Sequence, residues 1–260
     1  KNYSNTKIKN DFLLKTKPYI NFFYEKKKKF NFFYRILFSF KILFFLKKKQ
    51  PDIIISRSII PSLVLALFNI RNTLEIHSEL SGFTRFFFLI IKINFIKKNL
   101  KFIFINDYLR KKFNIDKKKS IILYDAVDYR DFKPSNNKTY DNSVFYSGSF
   151  SKGKALEIII KVAQKLPNIN FHLFGNQDTI YNKEIKKLKN VIFKGYISYS
   201  KLTVVINKYK ILLMPYKKNV GVLIKDINVA KYFSPLKMYD YLASGKIIIA
   251  SDLPVYRDIL

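Results

Sequence analysis

Three charged side chains lie near the predicted starts of two helices, where they could bind a diphosphate and neighbouring hydroxyl groups. Lys152 and Lys154 fall between a predicted strand and the helix that begins near Ala155. Cations in this place can neutralise a diphosphate as negative charge develops on its bridging oxygen. Asp240 lies two turns into a second predicted helix, where its carboxylate could reach hydroxyls beside an anion at the helix start. In a chain so rich in Lys, solvated lysines are the simpler alternative for the first two.

The stretch from Ser234 to Asp252, SPLKMYDYLASGKIIIASD, changes its hydrophobic period from helical to extended. Ser234 suits an N-cap and Pro235 the first helical position, so an anion would bind the exposed amides of this helix start. Gly245 ends the helix, and the apolar run at 247–250 predicts a parallel strand that is covered on both faces. An ordinary helix and strand of any doubly wound sheet is the alternative.

Six of the seven glycines lie in the second half of the chain, and three of them come just after a predicted strand. These three, Gly148, Gly175 and Gly195, would lie where ligands bind in parallel α/β sheets. Neither G-x-G-x-x-G nor G-x-x-x-x-G-K-S/T occurs, so the sequence supports neither a dinucleotide fingerprint nor a P-loop. Tight turns alone would also explain each glycine.

Composition narrows the classes of site and partner. The absence of Cys rules out disulfides and thiolate chemistry, and with only two His any metal site would depend on carboxylates. The net charge of +31 comes mainly from Lys, since only seven of the 49 basic residues are Arg. The charge alone is therefore weak evidence for nucleic-acid binding, and we expect no nucleic-acid partner. Residues 1–50 contain fourteen basic and two acidic residues, a net of +12 that would attract anionic lipid headgroups.

Apolar residues between positions 32 and 45 fit an amphipathic helix, which would either contact a membrane or pack on the core with a solvated Lys face. No stretch reaches the roughly 20 apolar residues that a membrane span needs, and the N-terminus does not resemble a signal peptide. The chain starts at Lys1 rather than at Met and stops at Leu260, just inside an apparent helix start. We therefore expect a fragment that lacks both ends.

From Pro51 onward strands and helices alternate, which predicts an α/β fold with parallel sheets. The predicted strands are 52–56, 73–76, 102–105, 120–123, 144–147, 170–174, 191–193, 211–214 and 247–250, and the predicted helices are 59–68, 83–96, 107–113, 155–166, 183–188, 202–207 and 235–244. A polar segment interrupts the alternation. We predict two Rossmann-like doubly wound domains that face each other across a cleft, at 1–133 and 143–260, with a linker at 134–142.

Three segments of the second half together resemble one family of enzymes. GSFSKGKALEIIIKVAQKLPNINFHLFGN, VIFKGYISYSKLTVVINKYKILLMPY and YFSPLKMYDYLASGKIIIASDLPVYRDIL are similar to the C-terminal domain of GT-B glycosyltransferases of family 4, the glycosyl transferases group 1. Upstream, PDIIISRS, LEIHSEL, INDYLRKKF and ILYDAVDYRDF resemble segments of the N-terminal domain. The resemblance covers the chain from about Pro51 to the end, and its main evidence is the order and spacing of the segments.

The resemblance implies a retaining, nucleotide-sugar-dependent hexosyl or related transferase that uses no metal and no cofactor. The donor would bind the C-terminal domain, and a glycan or lipid-linked acceptor would bind the N-terminal domain. Retention would follow front-face attack assisted by the leaving phosphate. The reaction would serve cell-envelope polysaccharide synthesis, with the protein in the cytoplasm and peripheral on the inner face of the cell membrane. The alternative is a truncated or degenerate transferase domain that binds nucleotide or anionic membrane without turnover.

The resemblance also assigns roles to residues of the diphosphate and ribose sites. Lys152 and Lys154 would hold the diphosphate, and Asp240 would bind the ribose hydroxyls. Backbone amides for the diphosphate would come from Ser234, Pro235 and Leu236.

Further residues would surround the base and the sugar. Gly195 and Tyr196 would lie by the base, and His77 would face the sugar from the other domain. The floor of the cleft would contain Gly175 and Asn176. The predicted donor-binding set is completed by Gly148, Ser149, Tyr216 and Lys237, and the predicted catalytic set is His77, Lys152 and Asp240.

Three positions depart from the family pattern. The family usually has Glu where Asp240 stands, so the carboxylate is one methylene shorter. A second Glu usually stands eight residues earlier, where this chain has Tyr232, and Asp226 is a nearby carboxylate that could substitute for it. Ser149 replaces an Arg of the broader family.

The second histidine, His172, lies inside a predicted strand, and we interpret it as a packing residue.

Overall fold

The computed structural model describes residues 32–94, 99–132, 139–150, 153–175, 181–218, 221–222, 225–257 and 259. Contacts divide these residues into two compact units. The first unit holds residues 32–125 and the short segment Tyr232–Ser234, and the second holds residues 126–231 and 235–259. The predicted linker at 134–142 lies partly outside the described residues and stays a prediction.

The first unit is built on a four-stranded parallel sheet in the order β1-β2-β3-β4. Its strands are β1 Ile55–Ser56, β2 Asn72–Ile76, β3 Leu100–Phe104 and β4 Ser120–Ile122. Its helices are α1 Phe32–Lys49, α2 Ile59–Leu67, α3 Gly82–Asn94 and α4 Asp107–Phe113, with a 3-10 turn at Lys117–Lys119. The strands and helices predicted between positions 52 and 123 are all present, with ends that differ by at most three residues, and the predicted end of the helix at 83–96 lies outside the described residues.

Aromatic residues fill much of the first unit's core. The alternation of β3 buries Phe102 and Phe104 on one face, and their rings stack with centroids 5.9 Å apart. Phe88 of α3 and Phe113 of α4 meet this pair edge-on, at centroid distances of 6.2 and 5.5 Å respectively. Burying each of these side chains contributes roughly 1.5–3 kcal/mol to folding.

Helix α1 packs on α2 and also exposes apolar side chains. Leu43 is buried, and the ring of Phe40 lies 5.8 Å from that of Phe68, the residue that follows α2. The predicted helix is therefore confirmed for the described part of the basic segment, while residues 1–31 lie outside the described residues. None of the described helices combines the length and apolar character that crossing a membrane requires.

The second unit contains a five-stranded parallel sheet in the order β11-β8-β5-β6-β7. Its strands are β5 Ser143–Ser147, β6 Asn170–Phe174, β7 Val191–Gly195, β8 Ile211–Met214 and β11 Ile247–Ala250. Its helices are α5 Leu156–Lys165, α6 Asn182–Ile185, α7 Tyr199–Ile206, α8 Leu236–Ala243 and α9 Pro254–Arg257, with a 3-10 turn at Tyr129–Phe132. The α/β class with parallel sheets is thus confirmed.

The order of these strands creates a reversal in the middle of the sheet. The chain runs outward from β5 to β6 and β7, and then returns to add β8 and β11 on the other side of β5. Helix α5 turns Leu156, Ile159, Ile160 and Ala163 toward the sheet, where they join a core with Tyr146 of β5. This helix therefore fixes the loop between β5 and α5 in which Lys154 lies.

One expectation for the second unit is wrong. β11 is an edge strand whose Ile247 and Ile249 are 63% and 54% exposed, so it is not covered on both faces. An unbroken apolar run indicates a strand, but it does not determine which faces are covered. The second unit also contains a short antiparallel pair that was not predicted, β9 Gly221–Val222 and β10 Lys225–Asn228, because neither segment is an apolar run or alternates over several residues.

Candidate functional site

The predicted site residues of the second unit lie at the carboxyl ends of its parallel strands. The strand order reverses between β5 and β8, and α/β sheets have their ligand crevice outside the strand ends at such a point. Gly148 directly follows β5, and Tyr216 lies two residues after β8. Gly175 directly follows β6, and Gly195 is the last residue of β7. All three glycines therefore lie at this edge of the sheet, as predicted.

The backbone at Gly175 passes very close to that at Gly148. A Cβ atom added to Gly175, which has a φ of +157°, would lie 2.1 Å from the carbonyl oxygen of Gly148. The amide of Gly148 donates a hydrogen bond to the Phe174 carbonyl over 2.9 Å, and the amide of Gly175 donates to the Gly195 carbonyl over 2.9 Å. Packing of neighbouring strand ends is therefore sufficient to require glycine at position 175.

Lys154 is held over the ring of Tyr216. Its Nζ donates a hydrogen bond to the Tyr216 hydroxyl over 3.0 Å and lies 4.3 Å from the centroid of the ring. The amide of Tyr216 in turn donates to the Ser251 Oγ over 2.9 Å, which ties the tyrosine to the end of β11. Among the described residues, no carboxylate forms an ion pair with Lys154. The loop therefore presents a cation whose charge is not neutralised by these residues.

Lys237, in the first turn of α8, brings a second ammonium group to the same place. Its Nζ lies 4.1 Å from the ring centroid of Tyr146 and 5.7 Å from that of Tyr216. Although the residue as a whole keeps some exposed surface, the Nζ atom is buried and has no hydrogen-bond partner in the described part of the chain. Burial, and then the charge of Lys154, lower the pKa of Lys237 to about 7, and the charge of Asp240 opposes this in part.

Asp240 is the carboxylate of this cluster. It is only 8% exposed, and its Oδ1 accepts a hydrogen bond from the Tyr199 hydroxyl over 3.1 Å. Burial raises the pKa of Asp240 to about 6, while the Tyr199 hydrogen bond and the charge of Lys237 act in the opposite direction. The side chain is therefore mostly ionised at neutral pH and can accept hydrogen bonds from hydroxyls. Its contact with a ribose stays a prediction.

The start of α8 differs from the prediction. The helix begins at Leu236 with Pro235 as its N-cap, and the amide of Met238 donates to the Pro235 carbonyl over 2.7 Å. Ser234 is therefore not the N-cap, and by its contacts it belongs to the first unit. Pro235 has no amide hydrogen and cannot donate to an anion, so its predicted role as a backbone donor is wrong. The predicted donations from Ser234 and Leu236 stay predictions.

The other predicted residues of the second unit are only partly described. Lys152 and Asn176 lie outside the described residues. Ser149 follows Gly148, and its carbonyl accepts a hydrogen bond from the Tyr146 hydroxyl over 3.0 Å. Tyr196 directly follows β7 and is largely exposed, so its ring is accessible to a ligand.

The two histidines have different surroundings. His77 directly follows β2 in the first unit, and its Nε2 lies 2.7 Å from the Glu75 Oε1, a contact that orients the ring. Its predicted role toward the sugar stays a prediction. His172 is buried in β6 with its Nδ1 2.8 Å from the Tyr209 hydroxyl, and burial lowers the pKa of His172 to about 4, so this neutral ring packs as expected. Within the described residues, no group of three His, Asp or Glu side chains could hold a metal ion.

Three tyrosines of the site were missed by sequence reasoning. Tyr146 lies under the Lys237 ammonium, Tyr199 binds Asp240, and the Tyr241 hydroxyl accepts a hydrogen bond from the Ser147 amide over 3.3 Å. With 18 Tyr in the chain, residue type alone gives no signal. Tyr146 and Tyr241 are within two residues of predicted site residues, which is the signal that could have found them. Tyr199 reaches the site only through the fold.

The strand order and the crevice at its reversal define a Rossmann-type α/β fold. Residues 128–260, just over half of the chain, match the family described as Glycosyl transferases group 1. The chain therefore belongs to this family, and the resemblance inferred from its sequence is confirmed at that level.

Solved structures with the same fold include several glycosyltransferases. A glycosyltransferase from Rickettsia africae ESF-5 is 14% identical with a TM-score of 0.65, over 89% of this chain and 65% of that one. HepE from Anabaena, in complex with UDP, is 14% identical with a TM-score of 0.62, over 85% of this chain and 65% of that one. The lipopolysaccharide outer core galactosyltransferase WaaB is 16% identical with a TM-score of 0.53, over 85% of this chain and 62% of that one. The chain thus spans less than two thirds of the length of each. No curated protein sequence matches it significantly.

Proposed function

We propose that the protein is a retaining glycosyltransferase of family 4 that transfers a hexosyl or related sugar from a nucleotide-sugar donor. One observation carries the proposal. Lys154 and Lys237 converge at the reversal point of the sheet, and Asp240 lies one turn after Lys237 on the same helix. Cations suit a diphosphate, and a carboxylate suits ribose hydroxyls. Membership of the family and the binding of UDP by HepE support a nucleotide-sugar as the ligand.

In the proposed complex, the donor diphosphate contacts Lys154 and Lys237, together with the predicted Lys152. The ribose binds Asp240, and the base lies near Gly195 and Tyr196. The remaining predicted contacts are Gly148, Ser149, Gly175, Asn176, Tyr216, Leu236 and, on the donor sugar, His77. The last contact belongs to a GT-B arrangement, which we also propose, with two domains facing each other across a cleft.

The proposed reaction retains the configuration of the sugar. The acceptor hydroxyl oxygen bonds to the anomeric carbon on the face from which the diphosphate leaves. The bond between the anomeric carbon and the diphosphate oxygen breaks, its electron pair goes to that oxygen, and the acceptor proton passes to the departing phosphate. Lys154 and Lys237 stabilise the negative charge that develops there. The family resemblance supports a reaction that needs no metal ion.

We propose a lipid-linked or polysaccharide acceptor of the cell envelope, reached from the cytoplasm at an anionic membrane surface. Helix α1 exposes Phe33, Leu37 and Phe44 on one face, at 75%, 64% and 68% of their surface. Helix α3 exposes Phe83, whose ring centroid lies 5.9 Å from that of Phe32 at the start of α1. The last turn of α1 is Lys47, Lys48 and Lys49. Apolar side chains next to cations suit anionic headgroups, and WaaB, named for lipopolysaccharide, supports an envelope acceptor.

Nucleotide release from a panel of sugar nucleotides tests this function. We expect the protein to release nucleotide from at least one UDP-, GDP- or ADP-sugar, and Lys154→Met to reduce that release. Lys165→Met, on an exposed position at the end of α5, is the matched control and should leave it unchanged. NMR of the glycoside formed on the acceptor should show the same anomeric configuration as the donor sugar, and an inverted anomer would contradict the mechanism.

The second candidate is a degenerate domain that binds nucleotide or anionic membrane without turnover. Tyr232, where the family usually has Glu, is buried in the first unit and stacks on Tyr108 with ring centroids 6.0 Å apart. Its carbonyl accepts a hydrogen bond from the Asn106 Nδ2 over 3.1 Å. This position therefore serves packing. Saturable binding of a sugar nucleotide without any release would favour the second candidate.

A further inference from the structure

The Lys237 ammonium is buried without an anion. Within the described residues its Nζ has no hydrogen-bond partner, and it lies 4.1 Å from the centroid of the Tyr146 ring. A cation over an aromatic face gains about 0.5–2 kcal/mol. Removing an ammonium from water costs several kcal/mol, so the rings offset only part of this cost. The charged form of Lys237 therefore lacks a full partner in the unliganded protein.

The charged neighbours of Lys237 do not supply that partner. Lys154, before α5, carries a like charge and disfavours the ammonium form. Asp240, on α8 itself, favours it, but this carboxylate is buried and is bound by Tyr199. Tyr146 and Tyr216 face Lys237 from β5 and from the end of β8 with their aromatic rings. With burial as the largest cause, the pKa of Lys237 falls to about 7, so near neutral pH the group is divided between its two forms.

The position of the ammonium defines where an anion would meet it. A Cβ atom added to Gly148 would lie 2.9 Å from the Lys237 Nζ, so the ammonium lies against the turn that follows β5. This turn borders the crevice at the reversal of the sheet. A diphosphate bound in the crevice would give Lys237 a charge-assisted hydrogen bond that the described residues do not. The ammonium form would then be strongly favoured.

We infer that binding of the donor diphosphate is coupled to the uptake of one proton by Lys237. The inference rests on the proposed function, because it takes a nucleotide-sugar as the anion. The proton comes from solvent and forms the third N–H bond on Nζ, and it returns to solvent once the nucleoside diphosphate has left. Binding therefore weakens as pH rises above about 7, by up to roughly tenfold per pH unit, until the pKa of the complex is reached.

Calorimetry of the full chain with UDP-glucose, in buffers of different ionisation enthalpy, measures this uptake directly. The diphosphate of a nucleotide-sugar is fully ionised near neutral pH, so it contributes no proton of its own. We expect an uptake of about 0.5 proton at pH 7 and about 0.9 at pH 8. If UDP-glucose does not bind, GDP- and ADP-sugars serve as the probes.

Two variants identify the group that takes up the proton. Lys237→Arg keeps a permanent positive charge, so it should bind donor with an uptake near zero at both pH values. Lys237→Met should bind more weakly, also without uptake, and covers the case in which the Arg variant does not fold. Lys154→Met should still take up a proton, but less than the wild type at pH 7, because the pKa of Lys237 rises when its cationic neighbour is removed. Thermal unfolding of each variant checks the fold.

The outcomes separate the two proposals. Uptake in the wild type that is lost in the Lys237 variants supports the inference. Donor binding without uptake at pH 8, or equal uptake in the wild type and in Lys237→Arg, overturns it while the proposed function stands. If none of the sugar nucleotides binds at any pH, the proposed function is overturned and the inference falls with it.

Discussion

The hydroxyl of Tyr199, the first residue of α7, donates a hydrogen bond over 3.1 Å to the Oδ1 of Asp240 in α8. The bond joins the helix that follows β7 to the helix that precedes β11, so the carboxylate is oriented before any ligand binds. It also counteracts part of the rise that burial causes in the pKa of Asp240. Tyr199 is therefore a positioning residue for the carboxylate that we propose to bind the ribose.

Replacing Tyr199 by Phe should move the pKa of Asp240 further upward. The carboxylate would lose a hydrogen bond that favours its ionised form, and unfolding free energy should fall by about 1–2 kcal/mol. Donor affinity should then decline more at pH 6 than at pH 8, since only the ionised form accepts two hydroxyls. Titration calorimetry at both pH values measures this, with the exposed Tyr129→Phe as control. An affinity loss that does not depend on pH would contradict the positioning role.

Asp240 should also make stability depend on pH in a particular direction. Its pKa is about 6 in the folded protein against an ordinary value of 3.8, so between these values the folded state binds more protons than the unfolded state. The contribution of this group to unfolding free energy therefore falls as pH rises from about 4 to about 6. The unfolding free energy of Asp240→Asn, measured in urea, should lack this decline between pH 4 and pH 6. If the wild type and Asp240→Asn depend on pH in the same way, the pKa of Asp240 is not raised.

Shortening the side chain at 240 tests its role in donor binding. Asp240→Ala should lower donor affinity at least tenfold, since a hydrogen bond to a charged group contributes about 1.5–3 kcal/mol. The fold should remain intact. Asp240→Glu restores the usual family residue and should preserve or improve the affinity. Unchanged donor affinity in Asp240→Ala would mean that the ribose binds elsewhere.

Gly175→Ala should destabilise the protein through a backbone clash. Its new Cβ would lie 2.1 Å from the Gly148 carbonyl oxygen, so the ends of β5 and β6 would have to separate. We expect a loss of roughly 2–4 kcal/mol in unfolding free energy. Gly245→Ala is the control, since it has a φ of +65° but nothing within 4 Å of its Cβ, and should lose only about 1 kcal/mol. Equal losses in urea unfolding would argue against the close approach.

The local period of the sequence was sufficient to predict most elements of the fold. β6, β8 and β11 occur at the predicted bounds because each is a compact apolar or alternating run next to turn residues. The start of α8 was misplaced because Pro235 satisfies the preferences of an N1 residue, while its φ of −84° and ψ of 61° make it the N-cap. Local propensities for these two positions differ too little to decide between them.

The contacts within the candidate site were harder to predict than its location. Gly148 and Gly175 follow strands, so their place at the edge of the sheet could be inferred from the chain order. The burial of the Lys237 ammonium could not be inferred, because a Lys in the first turn of a helix is usually solvated and only the packing of Tyr146 and Tyr216 around it changes this. Long-range packing, which has no signature in a local window, also determines the bond between Tyr199 and Asp240.

The exposed face of α1 provides the last prediction. Phe33→Gln and Phe44→Gln together should reduce binding of the full chain to phosphatidylglycerol-containing vesicles, because each ring would lose roughly 1.5–3 kcal/mol of apolar burial. Ile247→Gln is the matched control, as an exposed apolar residue in the second unit. Vesicle co-sedimentation at physiological salt measures the effect. If the wild type fails to bind these vesicles, or if the control loses as much binding as the double variant, α1 is not a membrane surface and its apolar face has another role.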